Sequence, residues 1–294
     1  MFSGSIPALV TPFRDGVLDE ARLTKLVERQ IAGGSSALVP CGTTGEAPTL
    51  SIEEHHRVIE VTVTAAGGRV PVIAGCGSND TMTALRHIER AAKVGAAAAL
   101  VVAPYYNRPD ADGLVAHYVF LAERSALPIV LYNVPSRTVS DITPAVVDRL
   151  NAHERIVGIK DASGEMGRVV SHRLSRGAGF CQLAGNDDSA QAHRAMGGAG
   201  CISVTANVAP ALCAELQAAC DAGDWAVARA IGDRLHPLHL ALFSGPSPAP
   251  TKYALHRLGV LPVPEARLPI GPLSEYARHA VDAALASVGL EPEA

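Results

Sequence analysis

The sequence predicts an α/β fold, a (β/α)8 TIM barrel with a C-terminal helical extension, on three observations. Short runs that are almost continuously apolar alternate with longer amphipathic segments, as expected for parallel strands covered on both faces. Eight such strand–helix units follow one another without a break in composition. After residue 209 the pattern becomes purely helical. A doubly wound sheet is built from the same unit and is the alternative, but eight similar units favour the closed barrel.

The strands and helices follow in order along the chain. The predicted strands cover residues 6–10, 37–40, 70–74, 98–102, 129–132, 156–159, 181–184 and 201–204. The predicted helix N-caps are Asp19, Ser51 (in a capping box with Glu54), Asp112, Thr143 (followed by a proline) and Ser189. The later helices are predicted over 211–222, 224–242, 251–258 and 274–287. We therefore expect a catalytic barrel over residues 1–222 and a helical extension over residues 223–294.

Composition narrows the class of protein. The chain is 48% apolar and 18% charged, enough to bury a sizeable core. Its net charge of −4, without a cluster of Lys and Arg, argues against a nucleic-acid partner. The longest apolar run, 94–103, is too short to cross a membrane, and the first residues lack the pattern of a signal peptide. The six cysteines form no CxxC pair and are expected to be buried thiols in a reducing compartment, so we expect a cytoplasmic protein.

The histidines and glycines give no sign of a metal or nucleotide cofactor. None of the eleven histidines, including the neighbours His55 and His56, lies in an HExxH pattern. The glycines near residue 75 lack the third glycine of a dinucleotide fingerprint, and those near residue 43 are not followed by the Lys-Ser/Thr of a P-loop. We therefore expect no metal and no cofactor.

Lys160 is the strongest candidate for chemistry. It ends a predicted strand, 156–159, that is otherwise apolar, and barrel enzymes place their active sites at the carboxyl ends of the strands. Removal from water disfavours an ammonium ion, which leaves a nucleophilic amine able to form an imine with a carbonyl compound. The alternative is a strand-end lysine that pairs with Asp161 or reaches solvent. Tyr105, Tyr106 and Tyr132 also follow strands, and tyrosine hydroxyls can carry the protons that imine chemistry requires.

Two further segments are predicted to bind anions. Gly42-Thr43-Thr44-Gly45 resembles a turn whose backbone N–H groups and hydroxyls receive a carboxylate or a phosphate. Arg137 offers a guanidinium fork to a second carboxylate, although an isolated loop arginine is more often simply solvated.

The motifs together resemble a known enzyme family. Residues 41–46 (Cys-Gly-Thr-Thr-Gly-Glu), 132–138 (Tyr-Asn-Val-Pro-Ser-Arg-Thr) and 158–161 (Gly-Ile-Lys-Asp) are similar to those of the class I aldolase family of dihydrodipicolinate synthase and N-acetylneuraminate lyase. Residues 103–109 and 202–208 fit as well, and the resemblance runs from residue 2 to about residue 273. Arg137 points to the dihydrodipicolinate synthase branch, because the neuraminate lyases lack an arginine there.

The resemblance implies a Schiff-base mechanism. Lys160 matches the lysine that forms the imine with pyruvate, and Tyr132 matches the tyrosine that moves protons beside it. Thr43 matches the threonine that links this tyrosine to a second one. Tyr106 matches that second tyrosine, which in the family comes from the partner subunit.

The resemblance also implies the substrate contacts. Thr44 matches the threonine that holds the pyruvate carboxylate, and Arg137 matches the residue that binds the carboxylate of L-aspartate-4-semialdehyde. The backbone carbonyl of Ile202 is expected near the imine, and Gly185 is placed in the same substrate-binding set. The implied activity is 4-hydroxy-tetrahydrodipicolinate synthesis in the diaminopimelate and lysine pathway, without a metal or redox cofactor, in a homotetramer built as a dimer of dimers.

Two alternatives and one departure accompany this assignment. Another pyruvate-dependent class I aldolase, acting on a sugar acid or on N-acetylneuraminate, would use the same fold, and a non-catalytic keto-acid-binding regulator would lack Lys160 or the tyrosines. Ile52 and Thr83 stand where lysine-inhibited members carry a histidine and a glutamate. We therefore expect weak or no inhibition by L-lysine.

Overall fold

The computed structural model describes residues 2–290 and contains a curled sheet of seven parallel strands. The strands of this sheet are β1 (Gly4–Pro7), β4 (Ile73–Gly75), β5 (Ala98–Val102), β6 (Ile129–Asn133), β7 (Ile156–Asp161), β8 (Cys181–Ala184) and β9 (Gly200–Ser203). Two further strands, β2 (Phe13–Arg14) and β3 (Val17–Leu18), form a separate antiparallel pair. Around the sheet the order is β1-β9-β8-β7-β6-β5-β4.

The segment 37–40 closes the barrel between β1 and β4. Parallel bridges join Ala8 to Val39 and Leu38 to Val72. The N–H of Val39 donates to Pro7 O at 3.0 Å, and the N–H of Ile73 donates to Leu38 O at 2.9 Å. With this eighth strand the sheet has no open edge, so the predicted (β/α)8 barrel is confirmed and the doubly wound alternative is wrong.

The first and third strands and one hairpin differ most from the prediction, while β6, β7 and β9 differ from it by one or two residues. The first strand begins and ends earlier than predicted, and the third is regular only from Ile73, because Pro71 has no N–H to donate to the ladder. The β2–β3 hairpin was not predicted. Its turn residues, Asp15 and Gly16, have φ values of 52° and 78°, the left-handed pair that a two-residue hairpin turn requires.

Helices cover the outside of the barrel and form the extension. They are α1 (Glu20–Ala32), α2 (Ile52–Ala66), α3 (Thr81–Lys93), α4 (Ala111–Arg124), α5 (Pro135–Thr138), α6 (Pro144–Arg149), α7 (Gly167–Arg176), α8 (Ala190–Ala195), α9 (Pro210–Asp221), α10 (Trp225–Ala241), α11 (Pro248–Arg257) and α12 (Glu275–Ser287). None of those between residues 2 and 290 is long and apolar enough to cross a membrane.

The helix caps follow the sequence signals with two exceptions. Asp19, Ser51 and Thr143 cap α1, α2 and α6 as predicted, and both hydrogen bonds of the capping box at Ser51 are present. Asp112 was the wrong choice for α4. Asp110 caps that helix, since its extended backbone lets its side chain accept from the N–H three residues ahead. Ser189 precedes α8 but makes no side-chain capping bond.

The extension shares a core with the barrel. Buried side chains of α10, α11 and α12, among them Leu235, Leu255 and Val281, belong to one cluster with Leu26 of α1 and Leu216 of α9. α11 starts three residues before its predicted first residue. Its first turn contains Pro248 and Pro250, which are tolerated because the N–H groups of a first turn have no acceptor within the helix. The division at residue 222 stays a prediction.

Candidate active site

Lys160 and Tyr132 lie side by side at the carboxyl ends of neighbouring strands. Their Cα atoms pair directly between β7 and β6, and Lys160 pairs with Leu183 of β8. Tyr132 and Leu183 belong to the apolar cluster inside the barrel, so the Lys160 side chain faces the interior as well. The Lys160 ammonium nitrogen, Nζ, is 4.2 Å from the centre of the Tyr132 ring. The two side chains are 6% and 7% exposed, so the amine is largely removed from water.

Lys160 has no acidic partner among residues 2–290. No carboxylate oxygen in that range lies within 4.0 Å of its Nζ. Asp161, the partner in the alternative stated above, accepts instead from the N–H of Ser163 at 2.8 Å and from the amide of Asn133 at 3.3 Å. The pairing of Lys160 with Asp161 is therefore not found. An amine without a carboxylate beside it is free to react with a carbonyl group.

Thr43 and Thr44 lie in a tight turn after the segment 37–40. Thr44 is 3% exposed, and Thr43 is half-buried. Within residues 2–290 the backbone N–H groups of both threonines donate to no protein acceptor, whereas that of Glu46 donates to Thr43 O at 3.1 Å. Gly45 allows the turn to pack closely, because a Cβ there would lie 3.0 Å from Leu9 O. The turn thus presents unpaired amides and hydroxyls, the donors that a carboxylate needs.

A buried ion pair ties this turn to the helical extension. Lys252 Nζ of α11 lies 2.5 Å from Glu46 Oε1, and neither side chain is exposed. Glu46 has a left-handed φ of 56°, and its second carboxylate oxygen accepts from the N–H of Arg267 at 2.8 Å. Lys252 also donates to Glu265 O at 2.7 Å and lies over the ring of Phe13. Burial lowers the pKa of Lys252, and the Glu46 carboxylate opposes that shift.

Sequence reasoning did not find Lys252. A lysine inside the apolar face of α11, between Thr251 and Ala254, was the available signal, because lysines are rarely buried without a partner. Its partner is 206 residues away and could not be read from local pattern.

A cavity of about 420 Å³ opens beside the turn and the tyrosine. Thr43, Tyr132 and Arg137 all line it. Arg137 lies in the short helix α5 with an exposed side chain, so its guanidinium is available to an incoming anion. Ile52 and Thr83 line another part of the same cavity, and the expectation about L-lysine stays a prediction.

Ile202 lies beside the barrel interior. It is fully buried in β9, where it pairs with Ile6 of β1. The segment that follows is fixed by the buried carboxylate of Asp187, which accepts from the N–H of Val204 at 2.8 Å and from that of Thr205 at 3.2 Å. The backbone next to Ile202 is therefore held rigidly.

Gly185 is closely packed between strand ends, whereas Tyr106 is exposed to solvent. Gly185 follows β8 and donates its N–H to Asp161 O at 2.8 Å; a Cβ there would lie 2.7 Å from the side chain of Ala162, so the strand ends are packed closely. Tyr106 is 94% exposed and has a left-handed φ of 70°. Within one chain, Tyr106 does not line the cavity that contains Thr43 and Tyr132.

The nearby cysteine is not a nucleophile. Burial raises the pKa of the Cys41 thiol well above its ordinary value, so the thiolate is not formed near neutral pH. All six cysteines are buried and unpaired, as predicted.

The fold and the site together are those of a barrel enzyme that works through a lysine Schiff base.

The comparisons with known proteins agree. The sequence profile described as the Dihydrodipicolinate synthetase family matches residues 1–288. This chain belongs to that family, as the motifs predicted.

Similar sequences and similar solved structures point to the same family. The 4-hydroxy-tetrahydrodipicolinate synthases of Erythrobacter litoralis and Sphingopyxis alaskensis are 63% and 60% identical, over 99% of this chain and 100% of theirs. The dihydrodipicolinate synthase of Aquifex aeolicus superimposes with a TM-score of 0.97 at 39% identity, covering 100% of both chains. The chloride-inhibited enzyme of Acinetobacter baumannii, solved with pyruvate, has a TM-score of 0.95 at 41% identity and covers 99% of this chain and 100% of its own.

Proposed function

We propose that this chain is a lyase that condenses pyruvate with L-aspartate-4-semialdehyde to give 4-hydroxy-tetrahydrodipicolinate, in the diaminopimelate and lysine pathway. The observation that carries the proposal is the position of Lys160. Its amine is buried inside the barrel, beside the Tyr132 ring, without a carboxylate within 4.0 Å in the part of the chain that the structure describes.

The reaction begins with attack of the Lys160 amine on the ketone of pyruvate. Loss of water gives a protonated imine, which draws electrons and acidifies the neighbouring methyl group. Removal of one methyl proton gives an enamine, whose carbon attacks the aldehyde of the second substrate. The amine of that substrate then displaces Lys160 and closes the ring. Tyr132 is adjacent to the lysine and is the proposed carrier of these protons, with Thr43 as its link to Tyr106.

Two anion sites orient the substrates. Thr44 and the unpaired amides of its turn are proposed to hold the carboxylate of pyruvate, since oriented N–H groups in a closed turn favour an anion. Arg137, exposed at the mouth of the cavity, is proposed to bind the carboxylate of the semialdehyde. Ile202, on β9, and Gly185, directly after the neighbouring strand β8, complete the proposed substrate contacts.

We propose that the enzyme works as a homotetramer, a dimer of dimers. A tyrosine that is 94% exposed, on left-handed backbone, is held in a conformation that a free surface loop seldom keeps. Its insertion into a neighbouring subunit would place the Tyr106 hydroxyl beside Thr43. One similar solved structure is described as a monomeric dihydrodipicolinate synthase variant, with a TM-score of 0.95 at 38% identity over 98% of this chain and 97% of its own. Light scattering of the purified protein distinguishes a tetramer from a monomer by its mass.

We also propose a cytoplasmic location. Six buried cysteines without a disulfide suit a reducing compartment.

Borohydride trapping tests the chemistry directly. Pyruvate with sodium borohydride is expected to attach a reduced adduct to Lys160, located by peptide mass spectrometry, and Lys160→Arg is expected to abolish both the adduct and turnover. Lys252 is an internal control, since it is also buried but ion-paired to Glu46 and should stay unmodified. An unmodified Lys160 in the wild-type protein would refute the mechanism. An adduct without turnover on any aldehyde would favour a keto-acid-binding regulator, and turnover on sugar acids alone would favour the other class I aldolases.

A further inference from the structure

Three histidines meet between α2 and α3. One ring nitrogen from each of His55, His56 and His87 lies within 4.8 Å of the other two. His87 Nδ1 and His56 Nε2 share a hydrogen bond of 3.2 Å, and the rings of His55 and His87 have their centres 3.9 Å apart with their planes tilted by 33°. The sequence-based expectation of no metal site considered the neighbours His55 and His56 without His87, which lies on a different helix.

His55 has a buried ring nitrogen without a partner. The side chain is 4% exposed, and its Nδ1 has no hydrogen-bond partner among residues 2–290. A buried nitrogen with no partner is costly unless something occupies its lone pair.

We propose that His55, His56 and His87 form a binding site for a divalent transition-metal ion of the Zn²⁺ type. Tetrahedral zinc with nitrogen ligands at ~2.0–2.1 Å separates those nitrogens by about 3.3 Å. The three nitrogens lie within 4.8 Å of one another, and those of His87 and His56 share a hydrogen bond of 3.2 Å, so a bound ion would replace this hydrogen bond and draw the rings together by small side-chain rotations. His55 and His87 also line the cavity that contains Thr43 and Tyr132. The ion is additional to the Schiff-base chemistry, which does not require it.

Titration of the full-length protein with zinc chloride tests the site. Isothermal calorimetry is expected to give one tight site per chain. His87→Gln and His56→Gln should each weaken it at least tenfold, because either removes one of three ligands. His279→Gln is the matched control; it removes an exposed histidine, paired with Glu275 on α12, and should leave binding unchanged. Circular dichroism and the denaturation midpoint establish that each variant folds.

Three results would overturn the proposal of a metal site. Equal affinity in His87→Gln, or an equal loss in His279→Gln, would mean adventitious surface binding and would overturn the proposal. X-ray absorption of the zinc-loaded protein should show a nitrogen shell at ~2.0–2.1 Å with imidazole scattering. A shell of oxygens alone would also overturn it. Borohydride trapping on Lys160 in the same preparation reports on the proposed function separately, so failure of one proposal is distinguishable from failure of the other.

Discussion

Replacing Lys252 with methionine should destabilise the whole protein. The change keeps an unbranched apolar chain as far as Cε but removes the ammonium group that lies 2.5 Å from Glu46 in a place without solvent. The Glu46 carboxylate would keep one donor, the N–H of Arg267, and the carbonyl of Glu265 would lose its partner. Removing one member of a buried pair costs about 3–5 kcal/mol, because a charge is left buried without compensation.

A second substitution distinguishes the effect of the unpaired Glu46 charge from a simple loss of packing. Glu46→Gln in the Lys252→Met background removes the stranded charge while its carbonyl oxygen can still accept from Arg267. The double variant should therefore regain about 1–2 kcal/mol relative to Lys252→Met, within the usual range of coupling between contacting residues. Glu46→Gln alone should also destabilise, because it leaves the Lys252 ammonium without a counter-charge and turns an NH2 group toward either Lys252 or the N–H of Arg267.

Urea unfolding followed by circular dichroism measures these free energies from the midpoint and slope of each curve. Arg57→Met is the control; it breaks an ion pair with Glu20 in which both side chains are exposed, and the midpoint should barely move. A loss below about 1 kcal/mol for Lys252→Met, or no recovery in the double variant, would refute the reasoning.

Three further changes test other parts of the structure. Arg137→Ala should raise the KM for the semialdehyde at least about tenfold while that for pyruvate changes less than about twofold, because the arginine is assigned to the second carboxylate; equal changes in steady-state kinetics would contradict the assignment. Gly158→Ala would place a Cβ 2.3 Å from Cys181 O, so β7 and β8 must separate, and urea unfolding should show a loss of about 1–3 kcal/mol rather than an unchanged midpoint. The Arg168 guanidinium holds the pKa of Asp141 below its ordinary value of 3.8. The stability that this carboxylate adds is thus present above pH 3.8 and is lost as the pH falls through the lower folded value, so Asp141→Asn should flatten the fall of the unfolding midpoint below about pH 4; identical acid profiles would argue against this ion pair.

The sequence predicted the features that leave a local trace. Apolar runs located every barrel strand, and the capping box at Ser51 located the start of α2. Lys160 was identified because a lysine at the end of an apolar strand is conspicuous, and the parallel register then brings it beside Tyr132. The proposed site residues follow from motifs that each span fewer than ten residues.

The features it missed depend on contacts between distant segments or on competing local signals. Glu46 and Lys252 are 206 residues apart, and the local sequence around either residue does not indicate the other as its partner. His87 joins His56 only because α2 and α3 pack together. The error at α4 was of another kind, since two aspartates two residues apart could each have capped the helix. The β2–β3 hairpin was missed although its Asp-Gly turn is a strong signal, because its strands have only two residues each.

The ion pair between Glu46 and Lys252 also has a consequence for synthesis on the ribosome. At roughly 5–20 residues per second, the 206 residues between them mean that the carboxylate emerges about 10–40 s before its counter-ion. During that interval the Glu46 carboxylate lacks the ammonium group that neutralises it in the folded structure. The turn that contains Thr43 and Thr44 therefore reaches its final form only after Lys252 has been synthesised.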